Sequence, residues 1–301
     1  MPSVTVVIPT FRRPERLARA VLSALASSSP VDKVIVVDDG GGVELPTLPT
    51  SCLVVAQPHR GVSAARNHGV ALACTEFVYF LDDDDLLQPD AILRLRGRAA
   101  WREADVVHGR WRTVNPAGSM VREPVTGPDS SQAEHLLLGS LAPLSACLFR
   151  TATLRAVGGF DARLLALEDW DLFVRLVADG ARCAFLDEIV AEYADHPGSL
   201  SKQWAVVLDS ARAVIHHSLP LLGWVDAETT TALEQLAIAE TARRAARAGE
   251  LEVGLSLTAL LGGGQTPRSI VGDGSTSLLS ALTDMVHELR EEVRRTCSSM
   301  S

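Results

Sequence analysis

The chain is short of positive charge. Its 301 residues carry 28 Lys and Arg against 37 Asp and Glu, for a net charge of -9 and a sequence pI of about 5.4. That balance argues against non-specific nucleic-acid binding and against electrostatic attachment to a membrane. Long apolar runs are missing as well. The first apolar stretch, residues 4–8, is far too short for a secretory signal, and no run approaches the ~20 residues of a spanning helix, so no integral membrane segment is expected. The five cysteines (Cys52, Cys74, Cys147, Cys183 and Cys297) show no paired spacing, which excludes a zinc site or a disulfide framework. They read as reduced core thiols of a cytoplasmic protein. Hydrophobic residues make up 47% of the chain, ample material for a core, and the length suits one medium domain with an appendage or two small domains.

Residues 76–81 are β-branched and aromatic, without Gly or Pro, and read as a buried strand. They run straight into Asp82, Asp83, Asp84 and Asp85. Four adjacent carboxylates repel one another, and a strand end that holds them calls for a counter-charge. In an open α/β sheet, ligands bind in the crevice beyond the carboxyl ends of the strands. Mg²⁺ or Mn²⁺ takes hard oxygen ligands, often one or two carboxylates completed by substrate phosphates and water. One reading is therefore a metal-diphosphate site. The other is a solvated acidic turn in which Asp84 or Asp85 caps the next helix, with Pro89 suited to a helix start.

The first hundred residues alternate strand and helix. Residues 3–8 form a strand apolar on both faces, ended by Pro9. Pro14 opens a helix to about Ala26 with Leu17, Val21, Leu22 and Leu25 as its buried stripe. Residues 33–37 are a second buried strand, and it too ends in acids, Asp38 and Asp39, before a run of three glycines. A third strand falls at 52–56 and a helix at 61–73, carrying Arg66 and Asn67. This alternation is the signature of a parallel sheet covered by helices, and it brings two carboxylate clusters towards one crevice edge. In isolation Asp38-Asp39-Gly40 would pass for an ordinary acidic turn.

Four segments, VTVVIPTFRRPERLARAVLSAL, VIVVDDG, GVSAARNHGVALA and YFLDDDD, followed by GGFD and LEDWDLFVRL, resemble in this order the family 2 glycosyltransferases of GT-A fold. The likeness covers about residues 3–200. It implies a Rossmann-like, mostly parallel sheet flanked by helices, with an α-helical C-terminal extension. It also implies that Pro9, Thr10 and Phe11 line a nucleoside pocket and that Asp39 accepts the imide N–H of uracil or thymine. Arg66 would approach the base or the phosphates. Asp82 would contact ribose or a metal-bound water, Asp84 would ligate Mn²⁺ or Mg²⁺, and Arg13 and Asp83 would complete the nucleotide-binding set. A carboxylate, being an acceptor only, suits an imide or sugar hydroxyl, and the planar fork of Arg suits oxyanions. One departure is Arg12, where the family usually has Asn. It leaves open an extra diphosphate contact or a side chain turned to solvent.

On the acceptor side, residues 105–114 alternate as a strand, 115–131 form a long loop, 132–138 a short helix, 143–150 lead into a strand and 158–161 turn. A helix opens at residue 167 with Glu168, Asp169, Trp170 and Asp171. Acids in a first helical turn commonly interact with the helix dipole, which would account for Asp171 and could account for Glu168. The resemblance makes Asp169 the general base, acting with an ordinary pKa late in the transfer, and puts Glu168 and Trp170 beside the acceptor. His196 follows the last strand, 189–193. It could ligate the metal, pair with phosphate, or sit on the surface. The family's Arg two residues earlier is replaced by Ala194.

From residue 203 composition turns to Ala, Leu, Glu and Arg, with helices expected at 204–219, 227–248, 250–261 and 277–295, a break at 262–267, a linker at 271–275 and a frayed end at 297–301. His216 and His217 read as a helix-surface pair. The domain division expected is 1–202 and 203–301. The helical part could close over an acceptor, form a homodimer or bind another partner. The expected activity is metal-dependent, inverting transfer from a UDP- or dTDP-sugar to a nucleophile on an unidentified small molecule, peptide or glycan. The alternatives are an inactive sugar-nucleotide binder of the same fold, or a nucleotidyltransferase. The latter needs a Gly-rich loop after the first strand, and Thr10 to Pro14 contains no Gly.

Overall fold

A computed structural model describes residues 2–115, 118–122, 133–196, 198–261 and 284–291. The break at 262–267, the linker at 271–275, the end at 297–301 and most of the 115–131 loop lie outside the described residues. The chain divides into two compact units, 1–164 with 168–196, and 165–167 with 197–301.

The first unit is built on a nine-stranded sheet among the described residues, in the order β3-β2-β1-β4-β8-β6-β9-β5, with β7 paired to β6. Its strands are β1 (Val4–Thr10), β2 (Lys33–Asp38), β3 (Cys52–Ala56), β4 (Phe77–Phe80), β5 (Leu86–Leu87), β6 (Val106–Val114), β7 (Met120–Arg122), β8 (Cys147–Arg150) and β9 (Cys183–Ala194). Its helices are α1 (Pro14–Leu25), α2 (Val62–Leu72), α3 (Ala91–Arg102), α4 (Thr151–Ala156) and α5 (Glu168–Ala178). β1 is parallel to both β2 and β4, and every one of its residues is buried, which is why its sequence is apolar on both faces.

Register sets the site. Thr10 pairs with Asp38, and Val7 with Phe80. The Leu81 amide then donates to the Val7 carbonyl and the Asp39 amide to the Thr10 carbonyl. β1 and β2 end level, β4 stops three residues earlier, and the run 82–85 carries on from it to reach Thr10, so that Asp39, Thr10 and the run emerge along one edge.

Several expectations change. Leu22 is 59% exposed, and the buried stripe of α1 is Leu17, Ala20, Val21 and Ala24. Small alanines, not leucines, complete it because the helix packs close to the sheet. Asp90, not Asp84 or Asp85, occupies the N-cap position of α3. β9 has 12 residues and begins well before residue 189. Three elements had no sequence signal: α4, β7, which falls within the expected loop 115–131, and the two-residue β5, which pairs Leu86 with Glu192 and Leu87 with Ala191. Of the described cysteines only Cys147 is buried, and Cys74 is exposed.

The second unit is helical. α6 (Trp204–Ala213) continues through a π-turn (Val214–Ser218) and a 3-10 turn (Leu219–Leu222). α7 (Ala227–Arg247) is capped by Asp226, whose carboxylate accepts from the Thr229 amide at 2.8 Å. α8 (Leu251–Thr258) packs on α7, where a Cβ at Gly254 would lie 3.1 Å from the Ala242 carbonyl oxygen. Residues 284–291 are helical. His216 and His217 are exposed, with His216 Nε2 3.1 Å from Glu234 Oε2.

Candidate active site

Asp39, 3% exposed, follows β2. Its Oδ1 accepts from Gln57 Nε2 at 2.7 Å and from the Arg60 amide at 2.9 Å. Its Oδ2 accepts from the Gly61 amide at 2.8 Å and faces His59 Nδ1 at 2.7 Å. These partners come from the loop between β3 and α2, another connection at the carboxyl end of a parallel strand. Beside them Phe11 and His59 stack, their ring centroids 4.1 Å apart and their planes 17° from parallel. Arg12 is exposed. Its Nε donates to the Gly41 carbonyl at 2.9 Å and its guanidinium lies 5.0 Å from the Phe11 centroid. Its backbone φ of +58° is left-handed. Asn adopts that conformation more readily than most residues, which accounts for the family's usual choice there.

The acidic run is divided by burial. Thr10 Oγ1 donates to Asp83 Oδ2 at 2.8 Å, and Arg13 Nη1 donates to Asp83 Oδ1 at 3.1 Å and to Asp84 Oδ2 at 2.7 Å. Burial pushes the Asp83 carboxyl up to about 6 although Arg13 and Thr10 pull it down. Asp85 is 1% exposed and accepts the Ala194 amide at 2.8 Å. Burial, with the charges of Asp82 and Asp84, raises it well above the usual carboxylate range. This residue and the β5–β9 pairing hold the run against the end of β9. His196 therefore reaches the site: it is 6% exposed, and its Nε2 lies 2.9 Å from Asp84 Oδ2. It is not a surface histidine. Arg16 Nη1 stands 3.5 Å from the same Asp84 oxygen, and Arg16, Arg19, Asp84 and His196 line one cavity with Leu86 and Ala194.

Arg66 stands on α2. It is 3% exposed and bridges two acids, Nη2 to Asp82 Oδ1 and Nη1 to Glu168 Oε1, each at 2.6 Å. Burial works against its charge, but Asp82 and Glu168 outweigh it and raise its pKa. Its guanidinium lies 5.5 Å from the Phe160 ring. The adjacent Asn67 makes a reciprocal pair with Phe160, Nδ2 to the carbonyl and the amide to Oδ1, both at 2.8 Å. Neighbouring residues of α2 thus carry the 159–160 turn and the start of α5.

At that start, Asp169 Oδ1 accepts the Trp170 amide at 2.8 Å. Burial first, then the Glu168 charge, raises the Asp169 carboxyl to about 6, with Arg66 opposing. This corrects the expectation of an ordinary pKa. Trp170 is buried and its indole N–H donates to the Leu136 carbonyl.

Residues 5–125 match the family model described as Glycosyl transferase family 2. The chain carries a family 2 glycosyltransferase domain. Among curated proteins, the pre-mycofactocin glycosyltransferase of Mycobacterium tuberculosis is 30% identical over 285 residues, covering 81% of this chain and 57% of that protein. The succinoglycan biosynthesis protein ExoO of Rhizobium meliloti is 30% identical over 224 residues, covering 67% and 63%. The chain therefore spans less than two thirds of the length of these relatives. Among solved structures, residues 1–349 of S. aureus TarS in complex with UDP-GlcNAc superpose with a TM-score of 0.57 at 15% identity, over 96% of this chain and 92% of that one. At such identity the likeness is one of fold, the GT-A fold that the motifs implied.

In this glycosyltransferase domain the structure brings Thr10, Arg13, Asp83, Asp84 and His196 into one hydrogen-bonded group, and Arg66, Asp82 and Glu168 into another. Sequence reasoning missed Gln57, His59 and Arg16. The one available signal for the first two was their place in the loop after a parallel strand. Arg16 had none beyond its spacing of three from Arg13.

Proposed function

We propose that this domain catalyses inverting transfer of a sugar from a pyrimidine nucleoside-diphosphate sugar, UDP- or dTDP-linked, to a hydroxyl or another nucleophile on a small molecule, peptide or glycan. The observation that carries the reading is the buried Arg66 bridge, which ties Asp82 at the donor end to Glu168, the neighbour of Asp169. One cation thereby fixes the donor acids relative to the base. The UDP-GlcNAc complex of TarS supports a uridine-type donor. Phe11 offers a ring face and Asp39 an acceptor to the base, and Arg13 offers its fork to phosphate oxygens. Asp169 takes the acceptor's proton on the face opposite the departing nucleotide. A carboxylate titrating at about 6 is ionised at neutral pH and a better proton acceptor than an ordinary one.

Among the described residues no three His, Cys, Asp or Glu side chains are grouped to hold a metal ion. Asp84 and His196 nevertheless fit one as a partial donor set, a carboxylate oxygen and an imidazole nitrogen turned towards each other, with remaining positions left to diphosphate and water. A bound Mn²⁺ or Mg²⁺ supplies positive charge to the leaving diphosphate. Arg13 holds Asp84 at 2.7 Å, and were a cation bound there its guanidinium could pair with phosphate instead. A cytoplasmic site of action belongs to this reading, supported by the unpaired described cysteines.

The test is binding and slow hydrolysis of UDP-, dTDP- and GDP-sugars, each with and without Mn²⁺. Binding of a pyrimidine sugar nucleotide is the expected result. Binding of none, under either condition, overturns the proposal.

A further inference from the structure

His59 satisfies, with its own ring, both demands that the proposed site makes of a nucleobase. It lies flat on Phe11, centroids 4.1 Å apart, and its Nδ1 is 2.7 Å from Asp39 Oδ2. With Nδ1 as donor, the imidazole is an aromatic ring giving one N–H to that carboxylate, as the imide of uracil or thymine would. We propose that His59 is a removable stand-in for the base: it fills the base slot of the free protein and swings out when a base bearing a ring N–H enters. This inference rests on the nucleotide-sugar reading above.

The accounting of hydrogen bonds supports it. An ionised carboxylate has about four acceptor positions. Those of Asp39 are filled by Gln57 Nε2, the amides of Arg60 and Gly61, and His59. An incoming N–H finds no vacant position unless one partner leaves. The two amides are backbone at the entry to α2. Gln57 is also tied to His68 Nδ1 through its Oε1 at 3.0 Å. The His59 side chain is 57% exposed and can leave without uncovering the core. The loop backbone has little room to move with it: a Cβ on Gly40 would lie 2.7 Å from the His59 amide nitrogen and 2.8 Å from the Gln57 carbonyl oxygen. The motion is therefore one of the side chain. The replacement also selects its ligand. Uracil, thymine and guanine present a ring N–H on the pairing edge. Cytosine and adenine present an acceptor there and cannot supply the lost donor.

Isothermal titration of wild type, His59→Ala and His59→Gln with UDP and CDP in Mn²⁺ tests this, with thermal melts to verify folding. His59→Ala removes the competitor and is expected to tighten UDP about tenfold or more, equivalent to about 1.4 kcal/mol. His59→Gln keeps a donor without a ring and falls between. CDP stays weak throughout. UDP affinity that is unchanged or weaker in folded His59→Ala, while wild type binds UDP, overturns the stand-in and leaves the function reading intact. Failure of both wild type and His59→Ala to bind any nucleotide overturns both.

Discussion

Replacing Asp169 by Asn should stop transfer and stabilise the protein at the same time. Burial and the Glu168 charge hold this carboxyl at about 6, against an ordinary value of 3.8. Two pKa units correspond to about 3 kcal/mol. Folding raises this group's proton affinity, so the native state is penalised only where the unfolded chain is ionised. The penalty is full above pH 6–7, shrinks as pH falls from about 6 to about 4, and is absent below. Asn bears no charge and keeps an oxygen for the Trp170 amide, which Asp169 accepts at 2.8 Å. The gain should therefore reach about 3 kcal/mol at pH 8, a rise in melting temperature of about 6–12 °C for a unit of this size, and nearly vanish at pH 4. Transfer should fall by about 10²–10⁴, the usual contribution of a general base, with nucleotide binding retained. Calorimetric melts at pH 8 and pH 4, beside a sugar-transfer assay, read both effects. A variant that melts at or below wild type at pH 8 would show that the carboxyl is not desolvated, and the base assignment would lose its physical ground.

Arg66→Met should destabilise the first unit by about 3–5 kcal/mol, since it leaves Asp82 and Glu168 without their buried counter-charge. Arg66 holds Asp169 down, so the acidic limb of kcat/KM in the same variant should move to higher pH, while Arg66→Lys, keeping the charge but not the fork, lies between. Gly159→Ala forces a side chain onto a backbone at φ +70° and a Cβ to within 2.4 Å of Asn67 Oδ1; urea denaturation should show a loss of about 2 kcal/mol or more. Asp84→Ala and His196→Ala should abolish the Mn²⁺ dependence of UDP binding measured with and without EDTA. A retained Mn²⁺ response in both would place the cation elsewhere.

Much of the donor half was legible in the sequence because its signals are local. Apolar strands of β-branched residues, acids at their ends and the Glu168-Asp169 helix start are each defined within a few positions. Their common edge followed from strand–helix alternation alone. What was not legible depends on partners far apart along the chain. Arg66 meets Glu168 across 102 positions, and nothing near either residue announces the meeting. Asp84 meets His196 across 112; the family resemblance offered both to one metal, but no local period did, because the strand that joins them has two residues. The resemblance puts Trp170 beside the acceptor, and its burial with the indole N–H on the Leu136 carbonyl, 34 positions away, shows only in the fold.

The sequence by itself determined the architecture of the parallel half and which acids crown it, since polarity and period act along the chain. Tertiary structure alone decided which of those acids are paired with arginine, which are buried with their pKa raised, and which ring rests on Phe11. Charge, desolvation and stacking are properties of neighbours in space, and register and packing supply those neighbours.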